Sequence, residues 1–340
     1  MNETQWFFGR STANLQFDKN GFNVYEENRM NEDFGLGGPA VINHSITGNL
    51  MMYTDGVRIY DGSGQIMSGA IDLNGDASIN QTALACSSPE NPDRYIVFTN
   101  ASETSAEDEL QYSIIDLSAQ GNGSLNAPLG EVLSNNNSVG LFSPAEGMTI
   151  VQSTFDASIS WLIAQNRGTH TFYVYRITND GVIPEPASTL YPFNTDIREF
   201  EASNISMNPA YSILAVAPKT ASRNVMLMNF NDTSGILSFN SQILNSGFPD
   251  DANQSIYDVE WSNNGDKLYL SRYGSRNEIL GNLYQINLTD SVSLIRSILS
   301  EPIYRSYGLK RASDCNIYHL VQEEEAGPFL VKRLKTIDGN

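Results

Sequence analysis

Three histidines, two cysteines and a scatter of acidic side chains are what this 340-residue chain offers for chemistry. Metal ligation by imidazole needs two or more ring nitrogens brought close, usually at a short spacing. His44, His170 and His319 fall in different repeats, so each reads as an isolated surface or strand-edge histidine. Cys86 and Cys315 are too few for a disulfide framework. Cys86 reads as a buried free thiol, and no bridge to Cys315 is expected. Gly-X-Ser-X-Gly, His-Glu-X-X-His and Cys-X-X-Cys are all absent. Gly35-Leu36-Gly37-Gly38 is a turn with no helix after it to cradle a phosphate. The most ligand-like run is Asp72-Leu73-Asn74-Gly75-Asp76, where oxygen-bearing side chains alternate as in calcium loops. It lacks a downstream bidentate Glu and flanking helices. An ordinary polar turn is therefore expected, with calcium on Asp72, Asn74 and Asp76 as the alternative and no other cofactor. Asn229-Phe230-Asn231-Asp232-Thr233-Ser234-Gly235 reads as a hairpin turn, with Gly235 free to take positive φ.

The elements that would position these residues are strands. Asp258-Val259-Glu260-Trp261-Ser262-Asn263-Asn264-Gly265-Asp266-Lys267-Leu268-Tyr269-Leu270-Ser271 alternates apolar and polar residues on either side of Asn264-Gly265. That pattern predicts a β-hairpin with a type I′-compatible turn. Asn282–Leu288 supplies a third strand. Similar units recur about every 50 residues, as expected for propeller blades. Ile205–Pro209 leads to Ile213–Ala217 and Val225–Phe230; Gly308–Lys310 leads to Ile317–Leu320 and Phe329–Val331. Met148–Val151, Ser160–Ala164 and Phe172–Tyr175 make another copy, as do Thr82–Ala85, Tyr95–Thr99 and Leu110–Ile115. The earliest is Ala40–Asn43, Leu50–Tyr53 and Val57–Tyr60.

These copies predict an all-β chain, one β-propeller domain over 1–340. Blades are expected near 38–70, 82–135, 148–192, 200–245, 256–300 and 306–340. Six blades are expected, with the strands in 5–18 completing the last one, since a closed ring leaves no sheet edge open. Seven is the alternative, if the segment 117–147 hides a blade or the end segments build one. The stretch 101–109 reads as an acidic loop, and 120–126 and Asn135-Asn136-Asn137 as long surface loops.

Charge narrows the partners. Twenty Lys and Arg stand against 39 Asp and Glu, for a net charge of −19. A phosphate backbone or an anionic lipid surface needs the opposite sign, so nucleic acid and membrane docking are not expected. No apolar run approaches the ~18 residues of a membrane span. Met1-Asn2-Glu3-Thr4 has neither the basic nor the apolar part of an export signal, so the chain reads as cytoplasmic or as a mature form.

Leu50-Met51-Met52-Tyr53-Thr54-Asp55-Gly56-Val57-Arg58-Ile59-Tyr60-Asp61, followed by Gln65–Gly69, resembles a signature of the propeller found in Bacteroidota surface proteins associated with gliding motility and type IX secretion. Trp6-Phe7-Phe8-Gly9 with Leu15-Gln16-Phe17 resembles its opening. Leu110–Leu117 and Thr171–Val182, which contain Tyr112 and Tyr175, resemble two of its later strands. Ser153-Thr154-Phe155-Asp156-Ala157 departs from the family's His-Ala-Asn-Gly type of turn. The resemblance implies a WD40-like repeat domain at the cell surface or outside the cell, with no assigned catalysis and no active-site residues to carry over. Its motif residues are Trp6, Tyr53, Thr54, Asp55, Gly56, Tyr60, Tyr112 and Tyr175. Tyr53, Tyr60, Tyr95 and Tyr112 also read as inter-blade packing aromatics, and Asp55-Gly56 as a hairpin turn.

Two functions follow as expectations. One is a non-catalytic platform that binds an envelope protein or a surface glycan through loops on one face. The other is an enzyme of the lactonase, glycosidase or lyase type, with acidic or His side chains gathered over the central channel.

Overall fold

The computed structural model describes residues 5–8, 13–18, 21–26, 38–101, 108–191, 201–210, 212–218, 224–243, 256–274, 280–288, 295–299, 301 and 303–334. Every described strand belongs to one of seven antiparallel sheets. Blade 1 holds β1 (Gln5–Trp6), β2 (Ala13–Asp18) and β3 (Gly21–Glu26); blade 2 holds β4 (Ala40–Asn43), β5 (Leu50–Thr54) and β6 (Ile59–Asp61). Blade 3 holds β7 (Ala83–Ser87), β8 (Arg94–Thr99), β9 (Glu109–Asp116) and β10 (Glu131–Phe142). Blade 4 holds β11 (Pro144–Gln152), β12 (Ser160–Asn166), β13 (Phe172–Thr178), β14 (Gly181–Val182) and β15 (Ser188–Leu190). Blade 5 holds β16 (Ala202–Met207), β17 (Ile213–Pro218), β18 (Val225–Asn231) and β19 (Ile236–Ile243). Blade 6 holds β20 (Ile256–Trp261), β21 (Lys267–Arg272), β22 (Asn282–Asn287) and β23 (Ile295–Ser297). Blade 7 holds β24 (Arg305–Arg311), β25 (Ile317–Gln322) and β26 (Phe329–Leu334).

The first strands of successive blades touch one another, from β1 and β4 round to β20 and β24, and surround the channel. We call the end where these strands begin the upper face and the end where they turn back the lower face. No helix among the described residues is long and apolar enough to cross a membrane.

The count of seven corrects the expected six. Among the described residues the N-terminal strands do not complete the last blade: β1, β2 and β3 pair only with each other, and β24, β25 and β26 form a separate sheet. The core explains why this works. Among the described residues it divides into seven apolar clusters, one at each seam between neighbouring blades. At the closing seam Trp6, Leu15 and Phe17 of blade 1 pack on Ala312 and Tyr318 of blade 7. The Trp6 and Phe17 rings lie 4.4 Å apart, and Tyr318 meets Trp6, Phe17 and Phe22 at 5.7, 5.1 and 5.4 Å. Edge-to-face aromatic contacts close the ring without a shared strand.

Local chemistry accounts for two further differences. Gly265 has φ +74, but Asn264 is absent from the positive-φ residues, so the 262–266 turn is not type I′. The Gly265 amide donates to the Ser262 carbonyl at 3.0 Å, and the Ser262 amide to the Lys267 carbonyl at 2.9 Å. One left-handed glycine ends a wider turn. Asn135, Asn136 and Asn137 are not loop residues but lie inside β10, where three register shifts bend the strand around blade 3. Asn135 Nδ2 donates to the Gly69 carbonyl at 3.1 Å and Asn136 Nδ2 to the Asp72 carbonyl at 3.1 Å, tying the rims of blades 2 and 3 together.

Candidate binding face at the upper channel mouth

The run Asp72–Asp76 and the motif Thr54-Asp55-Gly56 meet on the upper face. Asp55 Oδ1 accepts the Val57 and Arg58 amides at 2.9 Å, and Thr54 Oγ1 accepts the Gly56 amide at 3.0 Å. These bonds build the turn after β5, with Gly56 at φ +84. The Leu73 amide donates to the Val57 carbonyl at 2.7 Å, and a Cβ on Gly75 would stand 2.2 Å from the Gly56 carbonyl oxygen. Glycine at 75 is therefore required for this close approach. Asp72 pairs with Arg58 at 3.5 Å, Asn74 Nδ2 donates to Gln111 Oε1 at 3.0 Å, and Asp76 Oδ1 accepts from the Ser78 amide and hydroxyl. The three side chains serve three separate partners. Among the described residues, no group of three or more His, Cys, Asp or Glu is arranged to hold a metal.

The other motif residues pack. Tyr53 and Tyr60 stack at 4.9 Å, and Phe7 of blade 1 meets Tyr53 edge-on at 5.3 Å. The Tyr112 phenol fills the space over Gly181, where a Cβ would come within 2.4 Å of its oxygen. Tyr175 is buried against Tyr173. Trp6 closes the ring.

Cys86 is buried and free, and burial pushes its thiol up to about 12; Cys315 is free and exposed. His44 is half-buried, and its Nδ1 accepts the Ile46 and Thr47 amides. His319 is not at the surface: it is wholly buried in β25, with Nε2 2.8 Å from Ser306 Oγ. Burial lowers its pKa to about 3, so the ring is neutral. A Ser–His contact is the kind that supports nucleophilic chemistry, but here Ser306 is fully buried as well.

Two inner-strand carboxylates also invite a catalytic reading. Asp258 Oδ2 accepts the Leu309 amide at 2.7 Å and Oδ1 the Val259 amide at 2.8 Å. Glu260 Oε2 accepts the Arg311 amide at 3.1 Å, while Oε1 accepts the Trp261 amide and the Ser206 hydroxyl. Burial raises both carboxyls, Asp258 to about 8. Both side chains grip the backbone of β24 across the blade 6–blade 7 seam. Their hydrogen-bonding capacity is used in holding the ring.

What the channel mouth presents comes from a repeated backbone irregularity. In blades 4 to 7 the first strand slips register near its start: between Pro144 and Met148, Ala202 and Asn204, Ile256 and Asp258, and Ser306 and Leu309. A bulge frees its extra residue from the ladder and re-aims the side chain. The residues freed include Glu146, Ser203, Tyr257 and Tyr307. Tyr257 reaches across the mouth: its hydroxyl donates to Asn80 Oδ1 of blade 3 at 3.1 Å, and Asn80 Nδ2 donates to Glu146 Oε2 at 3.1 Å. Burial raises the Tyr257 phenol, and Asp258, Tyr307 and Glu146 add to the shift.

Tyr257, Tyr273 and Tyr307 form a compact triangle, with centroids 5.9, 5.7 and 5.4 Å apart. Phe329 joins Tyr307 at 5.4 Å and is 61% exposed. The Arg305 guanidinium lies over Tyr273 at 5.0 Å and Tyr304 at 4.9 Å, an arrangement that holds a cation on aromatic faces. The hairpin alternation hides these tyrosines, because a bulged residue breaks the pattern. The signal available is that Tyr257 and Tyr307 stand at equivalent places in consecutive copies.

No protein-family model matches the chain, and no curated protein matches it. Solved structures do. The Myceliophteria thermophila Cps50 (Swd1) β-propeller domain is similar at 13% identity, with a TM-score of 0.54 over 98% of this chain and 97% of that one. Puromycin hydrolase is similar at 11% identity and a TM-score of 0.51, over 99% of this chain and 51% of that one. The extracellular domain of a putative hybrid two-component system of B. thetaiotaomicron gives 11% identity and a TM-score of 0.49, over 97% of this chain and 38% of that one. At these identities the likeness speaks to architecture alone: the chain is a WD40-like β-propeller.

Proposed function

We propose that this propeller is a non-catalytic module that binds a protein partner through the tyrosine-rich sector of its upper face. The observation that carries the reading is the surface that the bulges in β20 and β24 build, Tyr257 and Tyr307 joined by Tyr273, Phe329 and Arg305. Tyrosine and arginine are the residues that dominate protein-interface hot spots, and a half-buried aromatic is already ordered before binding. The Tyr257–Asn80–Glu146 chain spans the mouth, which favours docking on the surface over entry into a funnel. Asp258 and Glu260, the carboxylates that an enzyme would turn toward a substrate, are engaged by backbone amides.

Protein is favoured over glycan because the rings of the triangle lie against one another and Arg305 covers Tyr273, leaving no flat aromatic platform for a sugar. The resemblance of 50–61 and 110–117 to Bacteroidota motility and type IX secretion propellers supports a partner in the bacterial envelope and a location at the cell surface. No cofactor is assigned.

The test uses the purified chain as bait for the envelope fraction of the source organism, beside the double variant Tyr307→Ala/Phe329→Ala. The expected result is a discrete retained protein that the variant retains at least ~10-fold less. Equal retention by both forms overturns the reading. So does turnover of a lactone or glycoside panel by the wild type.

A further inference from the structure

We infer that the partner segment seated on this face is basic, with a Lys or Arg side chain lying over Pro328 and Leu330 and its charged head on the turn between β25 and β26. This rests on the binding reading above. That turn, Glu323-Glu324-Glu325-Ala326-Gly327-Pro328, borders the aromatic patch. The Tyr304 amide donates to the Glu323 carbonyl at 3.1 Å, the Tyr304 hydroxyl lies 3.5 Å from Glu325 Oε1, and Tyr307 reaches Gln322 at 3.4 Å. Glu323, Glu324, Gly327, Pro328 and Leu330 line a shallow hollow of about 220 Å³. It has acidic walls and an apolar floor, and suits one long cationic side chain that buries its methylenes and keeps its charge at the rim.

Charge decides the sign of the occupant. Glu323 is paired with Lys332, whereas the exposed Glu324 carboxylate has no partner among the described residues. Arg305 already occupies the opposite end of the patch, over Tyr273 and Tyr304, so an incoming cation is directed to the Glu324 end. A chain of net charge −19 also draws a basic segment in from a distance and repels an acidic one.

Fluorescence anisotropy with labelled peptides of Gly-Leu-Arg repeats and of Gly-Leu-Glu repeats tests this on the full chain. The Arg peptide is expected to bind at least ~10-fold more tightly than the Glu peptide, and to weaken as salt rises from about 0.05 to 0.3 M. The double variant Glu323→Gln/Glu324→Gln should weaken it about fivefold or more, while Glu90→Gln, an exposed carboxylate on the lower face, leaves it unchanged. Three results overturn the inference: equal binding of the two peptides, preference for the Glu peptide, or equal weakening by Glu90→Gln, which signals diffuse attraction. Envelope capture separates this from the parent reading. If Tyr307→Ala/Phe329→Ala loses the partner while Glu323→Gln/Glu324→Gln keeps it in full, the basic segment is wrong and the platform stands. If neither variant affects capture, both fall.

Discussion

Between blades 6 and 7, Asp258 and Glu260 reach across and capture the amides of Leu309 and Arg311. Between blades 7 and 1, Trp6, Phe17 and Phe22 surround Tyr318, whose hydroxyl donates back to Asp314 of its own blade at 2.7 Å. The first seam joins consecutive blades, where β24 pairs on one side only and amides on its open edge need acceptors. The second brings the two ends of the chain together, where the large area of aromatic rings supplies the adhesion. Satisfying backbone polarity at an open strand edge and supplying adhesion between the first and last blades are separate problems, and the propeller treats each with its own chemistry.

Three experiments sharpen or break this contrast. Trp6→Ala should produce the largest loss, about 3–5 kcal/mol, because it removes a buried indole from the contact that closes the ring. Denaturant unfolding measures it, and a loss under about 1 kcal/mol would mean that closure does not depend on this cluster.

The second experiment uses pH. His319 is neutral when folded, with its pKa held near 3 against an ordinary 6.5. The unfolded chain takes up the proton first, so this group's contribution is complete above pH 6.5 and is lost as pH falls toward 3. The difference in stability between wild type and His319→Gln should shrink over that window, by on the order of 4 kcal/mol. A difference independent of pH would mean that the ring is solvated.

The smallest of the three effects comes from Asp258→Asn, expected to cost about 1–3 kcal/mol by placing an amide donor against one of two backbone donors. The sign of its pH dependence is opposite to that of His319. Burial raises the Asp258 carboxyl to about 8 from 3.8, so the folded state holds a proton that the unfolded state releases. Wild-type stability should fall between pH 6.5 and 8, and the Asn variant should be flatter there. Equal slopes would show that Asp258 is ionised in the seam.

Much of the architecture was legible because a hairpin with alternating burial leaves a plain trace. The copy from Asp258 to Ser271 becomes β20 and β21 with the expected partners, Val259 opposite Leu270 and Trp261 opposite Leu268. The seventh blade was hidden because β1 is only two residues long and its sheet is read more easily as spare strands than as a blade. Asn135-Asn136-Asn137 was hidden because strand propensity disfavours Asn, and three bulges together with side-chain bonds across the rim outweigh that preference. The upper mouth was the least visible part. A hairpin repeat that begins at Asp258 or Gly308 starts one residue after Tyr257 or Tyr307, and the reach of Tyr257 to Asn80 spans a separation of 177 residues that no local pattern encodes.

The bulges carry a consequence for how such a protein changes over time. Ser203 and Tyr257 are extra residues in their strands, Tyr307 stands beside Gly308 in the same kind of slip, and Glu146 lies within a longer one. At 146, 257 and 307 identity is uncoupled from strand pairing, so a mutation there alters what the mouth displays while every ladder keeps its partners; Ser203 instead is buried, with its hydroxyl on the Ala217 carbonyl. Three such positions on a fixed ring amount to an interchangeable reading head: a lineage could retarget such a propeller, and a library randomised at 146, 257 and 307 could do so in the laboratory, without rebuilding a blade.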